Sequence, residues 1–398
     1  MPGLRKTQFS HPMKVFISLV LFSFVTAISL QAQDLDSIKF KVTAATEWSN
    51  LFKRTDGWFG GDGIYSIPLN GKESSPPKAK KTLFIFSDSM IGKVTNGKMD
   101  PNAVMIHNAA AVLDGNEPDP NKISFSWKKA SEKPESIFEP KTRLTNTGDY
   151  YWLGDGFVNQ ELDNAIFIFG YRIKSTGGGA FGFAEVGNTL IKIKASEALP
   201  FQNYEQKDTP FYLNQDGETG SFGAGIYVNT KQAGEANADG YIYVYGTFGK
   251  TKKLLVARVL PKDFENYNKW TYWDGTNWQA DIKKSAAVSE QVSNELSVSQ
   301  LPDGRYALVF QQSGIGRHIC MQLGKTPYGP FGKVIKLWDT SEAIELKSFF
   351  TYNAKAHPGL SKKGELLISY NVNSFDFLKD LQTHPNLYRP RFIKVKFE

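Results

Sequence analysis

A single cysteine, Cys320, in 398 residues excludes an internal disulfide, so the chain must hold together by packing rather than by cross-links. Helical periodicity is scarce: no long stretch sets apolar residues at i, i+3, i+4 and i+7 between proper caps. There is no His-Glu-x-x-His pair, cysteine cluster, Walker loop or Gly-x-Ser-x-Gly elbow, so the usual metal and nucleophile signatures are missing. Gly177-Gly178-Gly179 lacks the helix and basic residue of a phosphate cradle and reads as a turn. No Pro- or Ser-rich linker of useful length divides the chain. Ser74-Ser75-Pro76-Pro77 reads as an exposed insertion, and one domain is expected.

What is present is apolar and aromatic. Hydrophobic residues make up 41% and aromatics 14% of the chain, enough for a large core. Near the start, Met13-Lys14, apolar Val15 to Leu30 and then Gln31-Ala32-Gln33 have the basic, apolar and small-residue regions of a secretory signal. We therefore expect residues 1–32 to be a signal peptide, with a functional start at Met13, and residues 33–398 to be the mature domain, exported to a bacterial periplasm or exterior. The apolar run is short for a membrane span and is interrupted by Ser18, Ser23 and Thr26. No membrane association is expected after its removal. Losing Arg5, Lys6 and Lys14 lowers the formal charge from +7 to +4, too small a basic excess to indicate nucleic acid. A monomer is expected.

The organisation is a repeat. Five apolar strands begin at Leu83, Ile166, Ile242, Ala307 and Leu366, separated by 83, 76, 65 and 59 residues. That spacing suits a four-stranded sheet with variable loops, the unit of a propeller blade. An all-β, five-bladed β-propeller follows. The alternating segments Ile38-Lys39-Phe40-Lys41-Val42 and Phe392-Ile393-Lys394-Val395-Lys396-Phe397 are suited to close the ring by pairing with each other.

Before the first apolar strand stands Gly60-Gly61-Asp62-Gly63-Ile64-Tyr65. The pattern returns as Gly154-Asp155-Gly156-Phe157, as Gly223-Ala224-Gly225-Ile226-Tyr227 without the acid, and more distantly as Asn294-Glu295-Leu296-Ser297. The fifth strand follows Tyr352-Asn353-Ala354-Lys355-Ala356-His357-Pro358. If these are innermost strands, Asp62, Asp155 and Glu295 converge on one channel mouth. The glycines beside Asp62 would leave room for a ligand to approach the backbone. Phe86-Ser87-Asp88-Ser89 ends the partner strand, which places Asp88 beside Asp62. The equivalent exits Tyr171, Thr247, Gln312 and Asn371 are not acidic, so the site centres on the first repeat.

Paired carboxylates are what cleavage of a glycosidic bond requires, one to protonate the leaving oxygen and one to act as base or nucleophile. Trp58, Trp152, His107, Asn108, Arg143, Asn353 and His357 are the candidate substrate contacts, the rings as faces for sugars and the polar groups for hydroxyls or acidic substituents. Arg317 and His318 are weaker candidates for an acidic substrate. No metal site is assigned and no cofactor is required, although calcium in the channel would suit Asp and backbone carbonyls. The expected substrate is a poly- or oligosaccharide; the alternative is a propeller that binds carbohydrate without catalysis.

The first-repeat motifs, together with His357-Pro358-Gly359-Leu360 and Ile368-Ser369-Tyr370-Asn371, resemble exported bacterial five-bladed propellers of a domain-of-unknown-function family. Those are similar to furanosidase-type glycoside hydrolases and endo-D-arabinanases. The resemblance implies a glycosidase site at the propeller mouth with Asp62 and Asp88 as the leading pair. The furanosidase pattern would instead make Asp62 base or nucleophile, Asp155 the charge-tuning aspartate and Glu295 the acid. The chain departs from both, with Ser87-Asp88-Ser89 where relatives carry Gly-Asp-Thr and with Ala224 in place of an acid.

Overall fold

A computed structural model describes residues 1–3, 34–73, 80–177 and 181–398. Most of the expected signal segment and all of the Ser-Pro insertion lie outside the described residues. From Asp34 to Glu398 the chain is one compact unit. It is all-β, and among the described residues no helix is long and apolar enough to cross a membrane.

Five antiparallel sheets follow one another along the chain. The first is Tyr65–Pro68, Lys81–Phe86, Ala109–Asp114 and Ile123–Ser126. The second is Tyr150–Asn159, Ala165–Ser175, Phe183–Ile193 and Glu205–Asp208. The third has six strands, with Glu218–Asn229, Tyr241–Phe248 and Lys253–Val259 at its centre. The fourth is Leu296–Gln300, Tyr306–Gln311, His318–Gly324 and Ile335–Asp339. In the fifth, Phe349–Ala356, Glu365–Ser374 and Arg391–Phe397 are completed by Phe40–Ala44 from the other end of the chain, with Phe40 opposite Phe397 and Ala44 opposite Ile393. Outside these, Asp56–Gly61 pairs with Ser89–Thr95.

The continuous apolar runs have a packing cause. A strand buried on both faces shows no polar alternation, and successive side chains point to opposite faces. Phe84 and Phe86 accordingly enter a core with Leu367 and Phe392 of the fifth sheet, while Leu83 and Ile85 enter a core with Ile166 and Ile168 of the second. Phe167 and Phe169 point the other way, toward Val244 and Ala257 of the third. Further cores join third to fourth and fourth to fifth. Cys320 is buried in the first of these, and burial pushes its thiol up to about 11.

The first strands of the sheets lie side by side. The Ile226 amide donates to Asp155 Oδ2 (2.7 Å), the Ala356 amide to Ser297 Oγ (2.7 Å), and Ser66 Oγ is 2.8 Å from His357 Nδ1. These contacts tie the second sheet to the third, the fourth to the fifth and the first to the fifth.

Candidate active site

The repeated Gly-Asp pattern is an irregularity in the first strand of a sheet rather than a plain strand start. In the second sheet the register slips between Leu153 and Gly156, leaving Gly154 and Asp155 unpaired. In the third it slips between Phe222 and Gly225, and in the fifth between Tyr352 and Lys355. Such bulges bend a strand and re-aim the extra residue. In the first repeat the break is complete. Chain 56–61 belongs to a different sheet from Tyr65–Pro68, and its partner makes the same change between Phe86 and Ser89. Asp62 and Asp88 sit at that double corner, where the Asp62 amide donates to the Asp88 carbonyl (3.1 Å) and the Ser87 amide to the Asp62 carbonyl (2.8 Å).

The motif glycines serve neighbouring backbone, which corrects the expectation that they clear a path for a ligand. A Cβ on Gly154 would lie 2.6 Å from the Gly223 carbonyl oxygen, and one on Gly60 would collide with the Tyr388 carbonyl. Glycine is what lets adjacent sheets approach at the bulges.

Each carboxylate has a distinct set of partners. Tyr352 Oη donates to Asp62 Oδ2 at 2.6 Å, and the Tyr388 hydroxyl also donates to Asp62. Burial, then the negative charge of Asp88, then that of Glu295 push Asp62 up to about 8 against the two phenols. Asp88 Oδ1 accepts from Trp152 Nε1 (2.9 Å) and lies 3.0 Å from His107 Nδ1, whose ring stacks on Tyr150 with centroids 3.7 Å apart. Asp88 Oδ2 has no hydrogen-bond partner among the described residues, and the side chain is 17% exposed. Asp155 spends both oxygens on backbone amides, Gly156 (2.8 Å) and Ile226 (2.7 Å). Burial chiefly lifts it to about 7.

Glu295 is buried in an ion pair of its Oε2 with Lys355, and Asn353 Nδ2 donates to its Oε1 at 2.6 Å. Burial raises the Glu295 carboxyl, and Lys355 and Asn353 oppose that rise. Asn353 adopts φ 57°, a backbone conformation that Asn tolerates better than most residues. Lys355, with a side chain 1% exposed, also sits 4.5 Å from the centre of the Tyr65 ring.

Three expected substrate contacts belong to the framework. Trp58 is fully buried against Phe86 and Phe125 and donates to Ser89 Oγ (3.2 Å), so it offers no face to a ligand. Asn108 is fully buried, bridging Phe138 and Tyr151: its amide donates to their carbonyls (2.8 and 3.2 Å) and its oxygen accepts from the Phe138 amide (2.7 Å). His357 uses both ring nitrogens, Nδ1 toward Ser66 and Nε2 toward Ser369 (2.7 Å). Burial, reinforced by Lys355, drives it down to about 3, so it is neutral. Arg143 stands exposed on the 140–149 loop and forms no ion pair with the four carboxylates; Arg317 pairs with Asp339 (2.8 Å). His107, Trp152 and Asn353 do meet the carboxylates.

Tyr352, Tyr388 and Lys355 are the residues that sequence reasoning missed. Tyr352 and Lys355 lie within the fifth copy of the repeat, and aligning its bulge with that around Asp155 would have flagged both. Tyr388 arrives from the segment before the last strand and carries no such signal.

A cavity of about 290 Å³ does not sit on Asp62 and Asp88. It is lined by the later residues of the first strands, including Phe157, Val228, Gln300 and Ala356, and reaches Asp155 and Lys355 from the opposite end. Among the described residues no group of three or more His, Cys, Asp or Glu side chains is arranged to hold a metal ion.

These features define an all-β protein with four carboxylates close enough for their charges to interact. The chain belongs to the family described as Domain of unknown function (DUF5005), whose model matches residues 45–397. No curated protein matches it. Among solved structures it is similar to a Bacteroides ovatus protein described as a candidate hydrolase, at 21% identity over 92% of this chain and 93% of that one, with a TM-score of 0.70. A Dyadobacter fermentans protein of unknown function matches at 12% identity over 87% of this chain and 96% of that one, TM-score 0.41. An exo-β-1,3-galactanase from Phanerochaete chrysosporium matches at 10% identity over 89% of this chain and 64% of that one, TM-score 0.47. The first of these shows a common fold, and the other two carry no argument about the site.

Proposed function

We propose that the protein is an exported glycoside hydrolase built as a closed five-bladed β-propeller, with Asp62 as proton donor and Asp88 as its carboxylate partner. The five sheets joined by five successive cores, the last joining fifth to first, support the ring. The pairing of Phe40–Ala44 with Arg391–Phe397 supports its closure. The basic-apolar start of the sequence supports export.

The observation that carries the catalytic reading is the pair at the double corner. Two carboxyls set side by side in a desolvated site cannot both ionise at neutral pH, and their environments decide which holds the proton. Asp62, between two phenols and behind Asp88, keeps it. Asp88, facing an indole N–H and an imidazole with Oδ1, has its Oδ2 without a hydrogen-bond partner among the described residues. In the reaction the proton of Asp62 passes to the glycosidic oxygen as the C–O bond breaks. Asp88 Oδ2 either attacks the anomeric carbon or takes a proton from the water that does. Asp155 and Glu295, their oxygens engaged by amides and by Lys355, shape the field from below.

The test is hydrolysis of a panel of plant, host and microbial glycans by wild type and by Asp62→Asn and Asp88→Asn. Each variant should lose roughly 10²- to 10⁴-fold in kcat. Undiminished turnover in both would remove this site from consideration.

A further inference from the structure

Six aromatic rings form a continuous chain of ring contacts, tied to a carboxylate at each end. The line leaves Asp88 at Trp152 and passes to Phe183 (4.5 Å between centroids), Phe181 (6.5 Å) and Phe375 (6.1 Å). It continues to Phe350 (4.6 Å) and Tyr352 (5.5 Å), whose hydroxyl reaches Asp62. The first three rings come from the second sheet and its hairpin end, the last three from the fifth sheet and the residue after it. Those sheets share cores with the first sheet on either side, so the line spans the corner that carries Asp62 and Asp88.

None of the six rings belongs to any of the five cores. Phe181, Phe375 and Phe183 are 55%, 53% and 37% exposed. Leaving such rings in water forgoes about 25 cal/mol per Å² of burial that packing would have supplied. An exposed apolar strip of this kind beside paired acids marks a place where something docks. Three half-exposed rings present on the order of 300 Å², far below the ~800 Å² a stable protein partner covers. That area matches the face of one or two sugar rings.

Resting on the carbohydrate reading above, we propose that this aromatic bridge is the platform on which the sugar ring adjoining the cleaved bond stacks. The phenylalanines offer no polar handle, so they take the C–H face of a pyranose or furanose. The hydroxyl-bearing edge is left to Asp88 and Asn353 and to the Trp152 indole and Tyr352 phenol at the two ends. Recognition here is by shape and apolar face, and it tolerates different hydroxyl patterns.

Native affinity electrophoresis tests this with the Asp62→Asn protein in gels cast with arabinan, arabinoxylan, galactan or β-glucan. We expect retardation by at least one glycan, an apparent Kd about tenfold weaker on adding Phe181→Ala and Phe375→Ala, and no change with the distant exposed Val334→Ala. Phe181→Leu, which keeps apolar bulk without a flat face, should weaken binding as well and guards against a folding artefact in the double variant. Equal retardation with and without the two rings overturns the platform. So does absence of retardation by every glycan, or a dimer in the parent that becomes a monomer when the rings are removed, since the strip would then serve a protein partner. Wild-type turnover by Asp62→Asn would sink the catalytic assignment while leaving the binding result standing. Unchanged binding by the double variant in a catalytically dead background would do the reverse.

Discussion

Replacing Asp62 by Asn should abolish proton donation and at the same time make the folded protein less sensitive to alkali. A carboxyl moved from 3.8 to about 8 is held in its neutral form far more firmly in the folded than in the unfolded chain. At 1.36 kcal/mol per decade that preference is on the order of 5 to 6 kcal/mol. Between those two pH values the folded state binds the proton and the unfolded state does not, so wild-type stability drains away as pH rises from about 4 to about 8. Asn mimics the neutral acid and cannot ionise, so this loss vanishes. The buried groups common to both proteins, such as Asp155 and Glu185, cancel in the difference. The gain in stability of Asp62→Asn over wild type should therefore grow through this window and level off above pH 8. With roughly 2.1 cal/mol/K of unfolding entropy per residue, a domain of about 365 residues gains about 1.3 °C per kcal/mol. The variant should thus melt about 7 °C higher than wild type at pH 9, with little difference at pH 4. Thermal unfolding followed by far-UV circular dichroism across that range is the assay. A difference that does not change with pH would refute the claim that Asp62 holds a proton, and with it the donor role.

Removing the neighbouring charge with Asp88→Asn should lower the pKa of Asp62, moving the midpoint of the same Asp62-dependent stability curve to lower pH. Lys355→Met strands Glu295 and should cost about 3–5 kcal/mol in urea unfolding, part of which Glu295→Gln in the same chain restores. Trp58→Ala should cost about 3–5 kcal/mol as a core deletion, whereas Trp152→Ala should leave melting nearly unchanged and depress turnover. His357 is held near pKa 3 by burial against an ordinary value of 6.5, so the unfolded chain binds its proton first and stability falls as pH drops from 6.5 toward 3. His357→Asn should flatten that acid limb in a pH series of unfolding midpoints.

That the chain is all-β was legible because its signal is redundant. Continuous apolar strands such as Leu83-Phe84-Ile85-Phe86 and Ile166-Phe167-Ile168-Phe169 recur, and each run reports a strand whose two faces feed two cores. The candidate acids were legible because the motif recurs ahead of the apolar strands, and in the second, third and fifth sheets that place is a register slip. Contacts reaching across repeats were not. Trp58 and Trp152 both precede a motif acid, yet one packs beneath Phe125 and the other faces Asp88. The difference lies in the chain's change of sheet at residues 62–64, which no local pattern records. Asn108 and His357 look like ligands in sequence because they are polar beside apolar strands. Their side chains instead tie Phe138 to Tyr151 and Ser66 to Ser369.

Four carboxyls in one enclosed region would repel one another into instability if their surroundings were alike. They are not alike, and the differences come from outside the motif that supplies the acids. Backbone amides at a bulge hold Asp155, an ammonium and a side-chain amide hold Glu295, two phenols hold Asp62, and an indole with an imidazole hold Asp88. The one cation among these partners buried almost completely, Lys355, sits with Glu295 and partly offsets Asp155, not with the pair at the corner. The corner pair is thus left to settle its repulsion by retaining a proton on Asp62, which in the proposed reaction is the one passed to the glycosidic oxygen. A lysine beside Asp62 instead of Glu295 would favour the ionised form of Asp62, so under the proposed mechanism the position of Lys355 matters as much as that of either aspartate.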